Sequence, residues 1–133
     1  MQNRRMGLTN VLQLYMQDFF MSRNINAYYL RASKETTLPY ICYTLRPISS
    51  LDDSNYGKKF NLEVNAFDEN SGVVINDILD EIERDILDLN ESNNYFSISG
   101  ALAYSRADLI EDAPIIHKRV TLTLNVFENP CRS

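Results

Sequence analysis

FNLEVNAFDENSGVVINDILDEIERDILDL, residues 60–89, changes its hydrophobic period once, and that change decides the fold. In its first eight residues Phe60, Leu62, Val64 and Ala66 fall on one side and Asn61, Glu63 and Asn65 on the other. This is the two-residue period of a strand with one buried face. DENSG follows with turn chemistry and a capping residue, Asn70 or Ser71. Beyond it Val74, Ile75, Ile78, Leu79, Ile82, Ile86 and Leu89 recur at three- and four-residue spacing, while Asp77, Asp80, Glu81, Arg84, Asp85 and Asp88 fill the opposite side. A half-buried strand passed directly to an amphipathic helix predicts a sheet with helices on one face.

The flanking segments extend the same pattern. Upstream, residues 6–22 place Leu8, Val11, Leu12, Tyr15, Met16, Phe19 and Phe20 on one helical face. NINAYYLRAS has room for a short strand, and LPYICYTLRP, residues 38–47, is a strand with Pro39 at its entrance and Pro47 at its exit. In it Ile41, Tyr43 and Leu45 point one way and Tyr40 and Cys42 the other. Tyr40 and Cys42 stand where the sister strands carry serine, threonine and asparagine. The expectation is that something outside the monomer covers that side. Downstream, NESNN (90–94) reads as a turn and YFSISGALAY (95–104) as a strand in which Gly100 marks a bulge or a close backbone approach. HKRVTLTLNVFE (117–128) turns Val120, Leu122, Leu124 and Val126 inward and Arg119, Thr121, Thr123 and Asn125 outward. The fold class is therefore α+β: an antiparallel sheet of four to five strands with two amphipathic helices packed on one face. Residues 1–133 form a single domain.

Composition narrows function by exclusion. Hydrophobic residues make up 44% and charged residues 23%, the balance of a globular protein that can build a core without staples. No apolar run approaches the ~18 residues of a membrane span, and the N-terminal segment is amphipathic, unlike a signal peptide, so a cytoplasmic protein is expected. The net charge of −5 is uneven, with five basic groups and one acid in residues 1–34 and nine acids against Arg84 in residues 68–91. Binding nucleic acid by phosphate neutralisation calls for a basic face, and the larger feature here is acidic. Cys42 and Cys131 are the two cysteines and His117 is the single histidine, which suggests neither a zinc site nor a disulfide framework. His117 reads as a surface histidine at the start of a strand. Asp52/Asp53 and Glu111/Asp112 are adjacent in sequence and diverge, and the helix acids form a solvated face. The four glycines stand apart, with no phosphate-cradling pattern. The expectation is no catalysis, no metal and no cofactor.

Two connections exceed what a plain domain needs. Residues 46–59 (RPISSLDDSNYGKK) are too long for a tight hairpin, and residues 105–114 (SRADLIEDAP) hold an apolar pair within a polar loop. Both read as loops that carry contacts. The candidate interface is Tyr40 with Arg46, Asp52, Asp53, Tyr56, Lys58 and Lys59 of the first connection, and Asp108, Leu109, Ile110, Glu111 and Asp112 of the second.

The succession resembles the tail-terminator, or tail-to-head joining, proteins of long-tailed bacteriophages. A leading amphipathic helix is followed by a strand opened by Pro39-Tyr40, by NLEVNAFDENSG passing straight into an apolar-striped helix, and by the closing pair FSISGALAY and HKRVTLTLNVFE. The likeness covers residues 8–128 and rests on order and spacing. It departs from the family at Phe67, where such proteins often carry tryptophan, at the basic N-terminus and at the tail ENPCRS. The resemblance implies a homohexameric ring that caps the tail tube, ends its polymerisation and meets the head connector. Its partners would be copies of itself, the major tail tube protein and a head-completion protein, with DNA as passing cargo and no membrane. Two alternatives stay open: another neck component, such as a head-completion or stopper protein, and a small dimeric ligand-binding α+β domain.

Overall fold

A computed structural model of the chain describes residues 7–33, 35–51, 56–69, 71–111 and 114–129, without the side chains of 102–104. The elements run α1 (Leu8–Met21), β1 (Ala27–Tyr29), β2 (Tyr40–Ser50), β3 (Gly57–Glu69), α2 (Val73–Leu87), β4 (Asn90–Ser92), β5 (Phe96–Leu109) and β6 (Ile115–Glu128). The strands form one sheet of six in the order β1-β2-β3-β6-β5-β4. The chain is thus α+β with a mostly antiparallel sheet, as expected. Four to five strands was too few, because two three-residue strands close the edges. One edge departs from the antiparallel rule: β1 runs parallel to β2, pairing Ala27 with Ile41 and Tyr29 with Tyr43. The turn expected at 90–94 begins instead as β4, which pairs Asn90 with Ser99.

Alternation along the central strands builds the core. Phe60, Leu62, Val64 and Ala66 of β3 and Val120, Leu122, Leu124 and Val126 of β6 are all buried, and they face α1 and α2. Leu12, Met16 and Phe20 of α1 and Ile75, Leu79, Ile82 and Ile86 of α2 fill the other side of that layer. Fully burying an aliphatic side chain stabilises by about 1.5–3 kcal/mol, so this layer is the main source of stability. Val74, expected on the apolar stripe, is exposed in the first turn of α2. Gly72 occupies the N-cap without a side-chain cap, so the cap expected from Ser71 is not made; Asn70 lies outside the described residues.

Polar contacts fix the helices at defined points. The hydroxyl of fully buried Tyr43 donates to Gln17 Oε1 at 2.6 Å, and Gln17 Nε2 donates to the Ala27 carbonyl at 3.1 Å. Together they tie α1 to β2 and β1. Burial pushes the Tyr43 hydroxyl up to about 12. Arg23, just past α1, lies over the Phe19 ring and donates to Asp85 of α2 at 2.8 Å. Both features expected of Gly100 are present. The β5–β6 register shifts between Gly100 and Tyr104, and a Cβ on Gly100 would sit 1.9 Å from the Ile86 carbonyl oxygen. Only glycine lets β5 pass the end of α2 at that distance.

Candidate interaction surface

The sheet has a second face that no helix covers among the described residues. Residues of one parity on β2, β3 and β6 line it: Tyr40, Cys42 and Thr44, then Glu63, Asn65 and Phe67, then His117, Arg119 and Thr121. Direct opposition sorts them into transverse rows. At one end Tyr40 stands opposite Phe67 and Phe67 opposite His117, and the rings stack with centroids 5.1 and 4.2 Å apart. Tyr28 of β1 extends the row by an edge contact to Tyr40 at 6.2 Å. Four rings therefore cross four strands. The next row is polar: Cys42, Asn65 and Arg119.

This answers in part what covers the outward side of β2. Tyr40 is half-buried between Tyr28 and Phe67, and Cys42 is buried with the Ala32 backbone within hydrogen-bonding reach of its thiol. The chain's own β1–β2 connection thus covers Cys42, contrary to the expectation that an outside partner must. Burial raises both the Tyr40 hydroxyl and the Cys42 thiol above their ordinary values.

His117 is the largest departure from the sequence reading. It is 9% exposed, far from a surface residue. Its Nδ1 lies 2.5 Å from Glu111 Oε1 and its Nε2 lies 2.8 Å from Asn65 Oδ1. Arg119 Nε donates to the same Asn65 oxygen at 3.0 Å, and Asn65 Nδ2 donates to Glu63 Oε2 at 3.3 Å. Sequence spacing gave no warning, because the partners lie 52 residues away on β3 and beyond the end of β5.

Among the described residues, much of the two connections expected to be long loops is strand. β2 continues to Ser50 and β3 begins at Gly57, pairing Arg46 with Asn61 and Ser50 with Lys58 across a bulge at Pro47/Ser49. Likewise β5 continues to Leu109, which stands opposite His117. Period-two alternation fails in both segments because neither buries a face: residues 46–50 and 105–108 are exposed at every position, and Arg106 meets α2 through ion pairs rather than apolar packing. Among the interface candidates, Arg46, Lys58 and Lys59 lie on one paired arm with Tyr56 at its end, where the Tyr56 carbonyl accepts from Glu128 N–H at 2.8 Å. Asp108, Leu109, Ile110 and Glu111 lie at the end of the other arm, with Ile110 99% exposed. Asp52, Asp53 and Asp112 lie outside the described residues. Tyr40 and Glu111 come together on the bare face through the aromatic row; the β2–β3 arm is separate, at the opposite end of those strands.

The acidic helix is partly neutralised from within. Arg106 of β5 bridges Asp80 at 2.5 Å and Glu83 at 3.0 Å. Arg23 holds Asp85 below the usual carboxylate range, against the opposing effect of its burial. Among the described residues no three histidine, cysteine or acidic side chains gather as metal ligands, and no helix is long and apolar enough to cross a membrane. Asn125 Oδ1, on the bare face, is buried without a hydrogen-bond partner among the described residues.

No family model matches the chain, and no curated protein matches it. Solved structures do share the fold. One of them, known only by a sequence label, superposes with a TM-score of 0.67 at 10% sequence identity, covering 93% of this chain and 99% of its own. At that identity the match shows the fold alone.

Proposed function

We propose that this chain is a structural virion protein of a long-tailed phage: a homohexameric ring at the tail–neck junction that caps the tail tube, ends its polymerisation and joins it to the head connector. The order of elements over residues 8–128, on which the family resemblance rests, supports this reading. The observation that carries it is the pair of exposed β-arms projecting from a two-layer domain whose other sheet face is bare. Ile48 (47% exposed) stands on one arm and Ile110 (99%) at the end of the other, apolar side chains that a neighbouring copy could bury. In a ring each copy offers one surface to the neighbour before it and a different one to the neighbour after it, and such a heterologous contact closes when the rotation does. Assembly would take place in the host cytoplasm, and DNA would pass through the ring unread. The reading assigns the chain no catalysis and no cofactor.

The space between helices and sheet is filled by the chain's own side chains, which weighs against the ligand-binding alternative. Native mass spectrometry of the protein with tail tubes is the test. Six copies per tube end, with tubes of uniform length, is the expected result. A two-fold dimer under all conditions overturns the ring in favour of a dimeric binding domain. A ring that leaves tube growth unchecked moves the chain to another position in the neck.

A further inference from the structure

We propose that His117 and Glu111 share one proton that latches the end of the β5–β6 arm (residues 109–111, the tip) onto the outer sheet face, and that loss of this proton frees Glu111. Asn65 fixes which atom His117 Nε2 meets. Its side-chain oxygen accepts from Arg119 Nε at 3.0 Å and its nitrogen donates to the Glu63 carboxylate at 3.3 Å. Reversing the amide would set nitrogen against the guanidinium N–H and oxygen against a carboxylate, so charged neighbours on both sides fix its orientation. The atom facing His117 Nε2 at 2.8 Å is therefore an acceptor, and Nε2 carries a hydrogen. The other ring nitrogen meets a second acceptor, Glu111 Oε1, at 2.5 Å. A contact that short between Nδ1 and a carboxylate oxygen needs a proton between them, whichever atom holds it. With the proton, the ring donates from both sides. Once the proton leaves to solvent, the Nδ1 lone pair faces a carboxylate, and the side chain free to move is Glu111. His117 cannot turn away, because the Phe67 ring stacks on it at 4.2 Å and it is nine-tenths buried.

The titratable and charged groups around the pair come from every neighbouring element: Glu111 at the tip, Arg119 on β6, Glu63 on β3 behind Asn65, and Tyr40 on β2 across Phe67. The tip so held begins at Leu109 and carries Ile110, the most exposed large apolar residue described. Use of the latch to present Ile110 during assembly rests on the ring reading; the latch itself does not.

The test uses the free, full-length chain, whose single histidine gives an unambiguous ring signal in nuclear magnetic resonance. Hydrogen-exchange protection is followed at the Leu109 and His117 amides, the last pair of the β5–β6 ladder at the tip, across pH, corrected for intrinsic exchange. Protection is expected to fall about tenfold over the interval in which the His117 ring loses its proton, the scale of one charge-assisted hydrogen bond at an exposed tip. Glu111→Gln should leave tip protection low and flat with pH, while the Val120 and Leu122 amides keep their wild-type protection and so report an intact fold. Protection that is flat in the wild type, or an unchanged pH dependence in Glu111→Gln, overturns the latch. Either result leaves the ring untouched, and a working latch without sixfold stoichiometry overturns only the ring.

Discussion

The inner and outer faces of the sheet are built from alternate residues of the same strands, and different forces hold them. On the inner face Leu62, Val64, Leu122 and Leu124 have no exposure at all and gain their stability from removal of apolar area from water. On the outer face stacked rings end in a hydrogen-bonded quartet of His117, Glu111, Asn65 and Arg119, whose members depend on orientation and proton count. The inner face is indifferent to which strand supplies an apolar side chain. The outer face works only with its particular partners. Substitution should therefore cost most stability on the inner face and, if the ring reading holds, assembly on the outer.

The largest expected effect is on the inner face. Leu122→Asp places an unpaired carboxylate in a fully buried site, costing several kcal/mol, roughly the size of the whole stability of a small domain. Thr121→Asp, one residue along and on the outer side, should cost under about 1 kcal/mol. Circular dichroism with thermal melts checks the pair, and equal losses would remove the distinction between the faces. Next in size is Gly100→Ala. Its Cβ would press on the Ile86 backbone, and the backbone has no rotamer with which to yield. A loss of at least about 1–3 kcal/mol in denaturant unfolding is expected, the scale of overpacking in a tight core.

Where alternation met a helix layer, the fold was legible in the sequence. Phe60, Leu62, Val64 and Ala66 alternate because one side is dry and the other wet, and the α1 and α2 stripes report the same layer. The signal disappeared where neither side is buried. Residues 46–50 and 105–108 are strands by backbone pairing alone, so their side chains carry no period and they read as loops. β1 and β4, at three residues each, are too short to show a period. The outer quartet was illegible for another reason. A histidine next to Lys118 and Arg119 has the local composition of a surface site, and what buries it is a phenylalanine fifty residues earlier that register alone places opposite. Of the interface candidates, Tyr40 was singled out as an aromatic on an outward position and Glu111 by its place in a polar loop with an apolar pair; His117 offered neither cue.

Tyr40→Asp sharpens the comparison at intermediate size. Tyr40 stacks with Phe67 and meets Tyr28 edge-on, yet it is only half-buried. Aromatic pairs contribute about 0.5–1.5 kcal/mol beyond area, so the variant should be weakened but folded. If the ring reading holds, electron microscopy should show tails with abnormal ends. Unfolding as complete as that of Leu122→Asp would make the aromatic row part of the core instead of a surface.

The smallest effect lies on the helix side and gives the comparison a pH axis. Asp85 is held below the usual carboxylate range chiefly by its hydrogen bond from Arg23, with burial opposing. A carboxyl whose folded value is depressed binds its proton more readily in the unfolded chain. Its contribution is therefore fully present above about pH 4 and is lost as pH falls through and below that range. Arg23 and Asp85 are each about a quarter to a third exposed, so screening keeps the pair in the range of surface ion pairs, about 0.2–1 kcal/mol. Arg23→Ala should lower stability by that amount at neutral pH and by less at acid pH, in urea unfolding measured at both. The proposed latch of His117 and Glu111 has the opposite sign, since raising the pH can only remove the proton they share. Raising the pH should therefore strengthen the α1–α2 tie and, if the latch operates, loosen the β5–β6 tip. A wild-type chain in which both respond to pH in the same direction would contradict one of the two assignments, and the Arg23→Ala and Glu111→Gln variants identify which.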